Sequence, residues 1–172
     1  ESVFHSVGGR QYDLKKARWH KKDVRVLDAS NRLLTYVPNY VFKMKNIQSL
    51  NLQDNFLYEI SPKLLQLEKL SELDLRNNQL SRLPESIAQL RYLEHLYLDA
   101  NRFQQLPRGI YQLDFLQELH AGNNNLVKVG PFDSRLIRVI DLNHNHLSQF
   151  PELLEQKNLE ELNLAKDINT LT

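Results

Sequence analysis

Asparagine recurs at a constant interval through the middle of this chain. Asn55, Asn78, Asn101 and Asn124 are each separated by 23 residues, and leucines occupy equivalent places around each of them. A fixed interval of this length is typical of proteins built from stacked structural repeats. One copy cannot bury its own apolar side, but neighbouring copies can bury each other's. The sequence therefore predicts a stack of similar units.

Each unit predicts a strand, a turn and a returning segment. Leu70, Leu73 and Leu75 lie at spacings of three and two, which indicates a short strand with one apolar side. Asn78 follows where the chain must turn, and its amide can both donate and accept hydrogen bonds. Residues 85–92 then return the chain in a short helical segment. The predicted asparagine ladder comprises Asn55, Asn78, Asn101, Asn124 and Asn145.

The two ends of the chain depart from this unit. Residues 1–23 do not match the repeat, and the apolar spacing in 12–19 predicts a short helix that covers the open end of the core. Residues 24–172 hold about seven repeats, which we interpret as a single domain. The fifth repeat shortens at 130–132, where a tight turn is expected in place of a helix.

Composition excludes several classes of function. The 172 residues carry a net charge of +1 and no cysteine, which removes disulfides, thiol nucleophiles and cysteine-ligated zinc. No apolar run reaches the roughly 18 residues of a membrane span. The basic residues between 15 and 22 match no nucleic-acid-binding motif, so we interpret them as a solvated surface and expect no nucleic-acid partner. Phosphate-loop and hydrolase motifs are also missing, so we expect neither an enzyme nor a cofactor.

The pattern L-x-x-L-x-L-x-x-N-x-L followed by L-P-x-x-I-x-x-L resembles the leucine-rich repeat in its 23-residue class, over residues 24–172. The resemblance implies an α/β solenoid, a curved right-handed stack with a concave parallel β-sheet and short helices or 3-10 turns on the convex side. It also implies protein binding on the concave surface. Residues 12–17 and 23–27 look like the N-terminal cap of bacterial members. An exported or surface-associated bacterial protein and a cytoplasmic one are both compatible with this sequence.

The same framework predicts which residues form the binding face. Residues that alternate with the inward leucines point to the opposite side of the sheet. Tyr97 is the aromatic residue in the middle of this polar face, and Tyr and Arg are frequent binding anchors. Carboxylates surround it, which favours a basic or amide-rich protein or peptide. The alternative is that these polar residues only keep an exposed sheet soluble. The predicted partner-binding residues are Glu72, Asp74, Arg76, His95, Tyr97, Asp99, Glu118, His120, Asp141 and His144.

Histidines on three consecutive predicted strands raise the hypothesis of a metal site. His95, His120 and His144 lie near carboxylates, and imidazole with carboxylate suits zinc. They occupy three different columns of the sheet, however, so we expect solvent-facing histidines and no metal. If His95 and His120 contact a partner, its affinity should vary between pH 5 and 8.

Three functions remain open at the level of sequence. We favour a non-enzymatic, monomeric module that binds a protein or peptide on its concave face. One alternative is a structural unit that self-associates through its open C-terminal end. Another is the targeting segment of a larger multidomain protein. Fold alone does not decide among them.

Overall fold

One parallel sheet organises the protein. The computed structural model describes residues 11–153 and 155–165, and within them the strands pair in sequence order, each with the next. The register is regular, so Leu27 lies beside Leu50 and Leu50 beside Leu73. The strands are β1 Gln11–Asp13, β2 Val26–Asp28, β3 Ser49–Asn51, β4 Glu72–Asp74, β5 His95–Tyr97, β6 Glu118–His120, β7 Val139–Asp141 and β8 Glu161–Asn163.

The middle residue of each strand builds the core. From β2 to β7 these positions are apolar and almost completely buried: Leu27, Leu50, Leu73, Leu96, Leu119 and Ile140. Burial of one such side chain contributes roughly 1.5–3 kcal/mol. Because each of these repeats presents an apolar side chain at the same height, the core is continuous from repeat to repeat. The predicted stack is confirmed.

The repeated asparagines connect successive turns. The Nδ2 group of Asn78 donates to the carbonyl oxygens of Leu52 and Leu75 at 3.0 and 3.1 Å, and its Oδ1 accepts from the Leu57 amide at 3.0 Å. Asn78 is itself buried, so it satisfies backbone groups that water does not reach. The same type of bonding to the neighbouring repeat is made by Asn55, Asn101, Asn124 and Asn145.

Short helical segments line the convex side. Three of them are 3-10 helices, at Val41–Lys43, Pro62–Gln66 and Glu85–Gln89, and the fourth is α2, an α-helix at Arg108–Tyr111. They are short because each repeat must return to the sheet within a few turns. At Gly109 a Cβ atom would collide with the Glu85 carbonyl oxygen, so glycine lets α2 approach the preceding segment closely. The fold class is therefore the leucine-rich-repeat type of solenoid, as the sequence predicted.

The N-terminal segment differs from the prediction of one helix over 12–19. Gln11–Asp13 is β1, which pairs with β2, and only Leu14–Ala17 is helical (α1). The Asp13 carboxylate caps α1 by accepting from the Lys16 amide at 2.9 Å. Trp19 is 79% exposed and does not cover the core. An unpaired edge of β2 is the physical reason, since it offers backbone hydrogen bonds to an extended segment. The predicted cap residues 1–10 lie outside the described residues.

The later repeats are less regular. At 130–132 the chain makes a turn, with a cis peptide bond before Pro131 and a left-handed Gly130 at φ +89°. Ser134 then takes a structural role, because its hydroxyl donates to the Leu116 carbonyl at 2.7 Å. Among the helices of the described ranges, none is long and apolar enough to cross a membrane.

Candidate binding site on the concave sheet

Two columns of side chains form the concave face, one on each side of the buried middle column. Parallel register makes equivalent residues of adjacent strands lateral neighbours, at spacings of roughly 4.8 Å. The face is not uniformly open. Ser49, Asn51, Glu72 and Asp74 on β3 and β4 are buried, whereas the corresponding residues of β5, β6 and β7 are partly exposed. Among the strand residues of the predicted site, the accessible ones therefore begin at β5.

Three side chains at the centre of the face are stacked on one another. The Arg76 guanidinium carbon lies 5.1 Å from the centroid of the Tyr97 ring. On the other side of Tyr97, the His120 ring lies at a centroid distance of 4.8 Å and an interplanar angle of 17°. We call Arg76, Tyr97 and His120 the central stack. Cation–π and offset aromatic contacts stabilise such an arrangement and hold each ring in one orientation.

The Glu118 carboxylate connects the central stack to two further residues. It accepts a charged hydrogen bond from Arg138 Nη2 at 3.1 Å and lies 3.5 Å from His120 Nε2. The Tyr97 hydroxyl is 3.5 Å from the same carboxylate, and His95 Nδ1 is 3.7 Å from it. At 3.7 Å this last contact is too long for a hydrogen bond. His95 Nδ1 is buried, and it has no hydrogen-bond partner among the described residues.

Several carboxylates of the predicted acidic field are satisfied within the protein. Asp74 is buried, and its carboxylate receives Arg76 Nη2 at 2.7 Å and Nε at 3.0 Å. Asp99 and Asp141 each accept a backbone N–H, at 3.2 and 3.0 Å. The pKa of the Asp99 carboxyl is raised above its ordinary value, mainly by burial, and the neighbouring His120 offsets only part of this effect. Asp74 therefore does not lie on the solvent-facing surface that the alternation predicted, because Arg76 turns back over it.

Glu72 also departs from the predicted exposed position. In its column it lies between Ser49 and His95, and the Ser49 hydroxyl donates to its carboxylate at 3.2 Å. Burial is the main cause that raises the pKa of Glu72 to about 7, and the charges of Glu94 and Glu118 raise it further. Near neutral pH this carboxyl is only partly ionised, so it adds little negative charge to the face.

The predicted histidines are separated into two groups. His95 and His120 lie on either side of Glu118, whereas His144 is exposed in the turn after β7, with a φ of +54°. No group of three or more His, Asp or Glu side chains in residues 11–153 and 155–165 could hold a metal ion. Glu118 is therefore the carboxylate that both His95 and His120 approach.

Arg138 contributes to the site although it is not among the residues predicted from the sequence. This residue precedes β7 by one position and lay outside the columns used to define the face. Its guanidinium joins Glu118, at 3.1 Å, to Glu160 on the next repeat, at 3.4 Å. The only signal for it was its position directly before a predicted strand, where Glu94 and Glu160 occupy the equivalent place.

Comparison with known proteins agrees with this architecture. The family model described as "Leucine rich repeat" matches residues 45–103 and 68–126. Together with the solenoid, this match shows that residues 45–126 consist of leucine-rich repeats. No curated protein sequence matches the chain significantly.

Solved structures show the same fold at low sequence identity. An internalin from Listeria monocytogenes superposes with a TM-score of 0.75 at 16% identity, over 87% of this chain and 46% of its own. TLR13, in a complex with ssRNA13, gives a TM-score of 0.74 at 24% identity, over 90% of this chain and 24% of its own. The ectodomain of the receptor kinase SOBIR1 from Arabidopsis thaliana gives 0.58 at 24% identity, over 70% of each chain. The chain thus spans less than half the length of the first two proteins.

Proposed function

We propose that this protein is a non-enzymatic recognition module that binds a protein or peptide on its concave sheet, around the central stack. The observation that supports this proposal most is the fixed geometry of Tyr97 between Arg76 and His120. A preorganised aromatic side chain loses little conformational entropy when it binds, which is why such residues act as anchors.

The chemistry of the site favours an amide-rich partner over a strongly basic one. Asp74 already holds Arg76, and Glu118 already holds Arg138, so the nearby carboxylates have cationic partners within the protein. The pKa of Glu72, raised to about 7 by burial, reduces the negative charge further. What remains available are hydrogen-bonding groups on a partly exposed aromatic surface, and backbone or Asn and Gln amides of an extended peptide can pair with them.

The experiment is selection from a random peptide library on the immobilised protein, followed by calorimetry with the selected peptides. Tyr97→Ala should reduce affinity at least tenfold. Tyr92→Ala is the matched control, because Tyr92 is 53% exposed and lies on the convex side, where it contacts Phe115. It should leave affinity unchanged. Peptides that bind wild type and Tyr97→Ala equally would show that the central stack is not the site.

A further inference from the structure

A second surface runs along the turns that follow the ladder asparagines. In each of six repeats the chain leaves the sheet there, and successive turns are joined by backbone hydrogen bonds. The Phe56 amide donates to the Leu34 carbonyl at 2.7 Å, and the Arg102 amide donates to the Leu80 carbonyl at 2.7 Å. Equivalent residues are therefore lateral neighbours on this side of the solenoid too. We call the surface formed by residues 33–36, 56–59, 79–82, 102–105, 125–128 and 146–149 the lateral edge.

The first two repeats make one end of the lateral edge apolar. Leu33 is 73% exposed, Tyr36 69%, Phe56 48% and Tyr58 57%. An aromatic side chain covers roughly 150–250 Å², so these four residues expose apolar area of about 400–500 Å². That is within the range of the largest apolar patch on a typical monomeric protein, about 300–600 Å², and such patches are often functional. Leu34, by contrast, packs against the core, so repeat 1 does not need Leu33 for its own packing.

The third, fourth and fifth repeats make the middle of the lateral edge basic. A groove there is lined by Arg82, Arg102 and Lys128 together with Gln104 and Val127. Arg82 lies 3.9 Å from Glu59, a distant and exposed pairing. Neither Arg102 nor Lys128 has an ion-pair partner within the part of the chain that the structure describes. Arg102 and Lys128 thus differ from the arginines of the concave face, which are paired with carboxylates.

The separation of apolar and basic residues identifies the kind of ligand. A nucleic-acid strand alternates base and phosphate, and the proteins that bind it interleave aromatic and basic side chains. On the lateral edge the exposed aromatic residues belong to the first two repeats, because Phe103 in the fourth is buried. The cations that lack an ion-pair partner among the described residues belong to the fourth and fifth repeats. An area of 400–500 Å² is also well below the roughly 800 Å² that each partner contributes to a stable dimer.

We propose that the lateral edge binds an extended peptide with apolar residues at one end and acidic residues along the remainder. Four repeat steps of roughly 4.8 Å separate the first repeat from the fifth. An extended chain covers that distance in about six to eight residues. The apolar residues would cover Leu33, Phe56 and Tyr58, and the carboxylates would pair with Arg102 and Lys128. This site is independent of the central stack.

The test uses two fluorescein-labelled eight-residue peptides, with two apolar residues at either the N-terminal or the C-terminal end and acidic residues in the rest. At least one orientation should bind, and replacing the acidic residues by their amides should weaken binding at least tenfold. Arg102→Glu and Tyr58→Ser should each weaken it at least tenfold. Tyr97→Ala, on the concave face, should leave binding of the acidic peptide unchanged. A failure of the lateral-edge proposal can therefore be distinguished from a failure of the concave-site proposal.

Other outcomes would overturn the proposal. Absence of binding by either peptide, or equal binding to Arg102→Glu and wild type, would show that the lateral edge is not a site for acidic peptides. Tighter binding of oligouridine than of either peptide, lost in Arg102→Glu, would assign the surface to nucleic acid. A concentration-dependent dimer in light scattering that Tyr58→Ser abolishes would assign it to a second copy of this chain. Tyr58 is largely exposed, so unfolding of Tyr58→Ser should match wild type and show that folding is intact.

Discussion

The concave sheet and the lateral edge are made by the same repeats, yet their cationic side chains differ in whether a carboxylate pairs with them. On the sheet, Arg76 lies on Asp74 at 2.7 Å and Arg138 on Glu118 at 3.1 Å. On the lateral edge, Arg102 and Lys128 have no such partner within the described residues. Strands bring side chains of adjacent repeats together on a concave surface, whereas the turns direct theirs outward to water. The same residue type therefore stabilises the fold in one place and is available for a ligand in the other.

This contrast shows what an arginine contributes in each setting. An exposed cation contributes little to folding, because water already solvates it. A cation that covers a buried carboxylate cannot be removed without leaving that carboxylate unpaired. Substitutions that separate folding from binding should therefore be made on the lateral edge, and three predictions test how far this division extends.

The largest effect is expected at the asparagine ladder, which lies between the concave sheet and the lateral edge. Asn101→Ala removes donors to the Leu75 and Leu98 carbonyls, at 2.9 and 3.0 Å, and the acceptor of the Leu80 amide, at 3.0 Å. Unsatisfied buried groups cost about 1–3 kcal/mol each, so we expect a loss near 3 kcal/mol in the free energy of unfolding. Urea denaturation measures it. Asn125→Ala is the control, because Asn125 is an exposed asparagine directly after the ladder residue Asn124. Equal losses in the two variants would contradict the ladder.

A matched pair of arginines tests the comparison directly. Arg76→Gln leaves the buried Asp74 carboxylate without its guanidinium, and we expect a loss of about 2 kcal/mol, moderated because Arg76 is itself 28% exposed. Arg102→Gln should change the unfolding free energy by less than about 0.5 kcal/mol. Thermal or urea unfolding of both variants is the measurement. If the two substitutions cost the same, the distinction between the surfaces fails.

The smallest effect concerns the protonation of Glu72. Burial raises its pKa from the ordinary 4.5 to about 7, so the folded protein keeps a proton that the unfolded chain has lost. The resulting stability is fully present below about pH 4.5 and is lost as pH rises through 7. Glu72→Gln should therefore be more stable than wild type at pH 8 and nearly equal to it at pH 4.5. A difference that does not change with pH would refute a raised pKa.

The repeat pattern predicted the strands and the buried columns because backbone and side-chain periods are local properties. Leu73 lies in the core as expected, and Asn78 makes ladder contacts of the expected kind. The same local reasoning failed for Gln11–Asp13, where β1 forms in place of a helix. A strand added at the end of a sheet depends on the free edge of its neighbour, and a sequence pattern does not contain that edge.

The candidate site was predicted in part. Alternation along the strands placed Tyr97 and His120 on one face, because side chains of a strand point to opposite sides in turn. It could not predict that Glu72 and Asp74 are buried, since their burial follows from neighbouring strands and from the direction that Arg76 takes. It missed Arg138 and the lateral edge for the same reason, because both depend on how repeats lie beside one another.

By itself the sequence determined the stack, its period and the identity of the residues that line each column. Those properties follow from spacing along the chain, which folding does not alter. Only the tertiary structure decided which charges are neutralised and which remain free. An ion pair between repeats depends on the distance between side chains that are far apart in sequence, such as the 3.1 Å between Arg138 and Glu118, which are 20 residues apart. Contacts between repeats therefore decide which charged groups are free to bind a ligand, although the sequence pattern of each repeat is local.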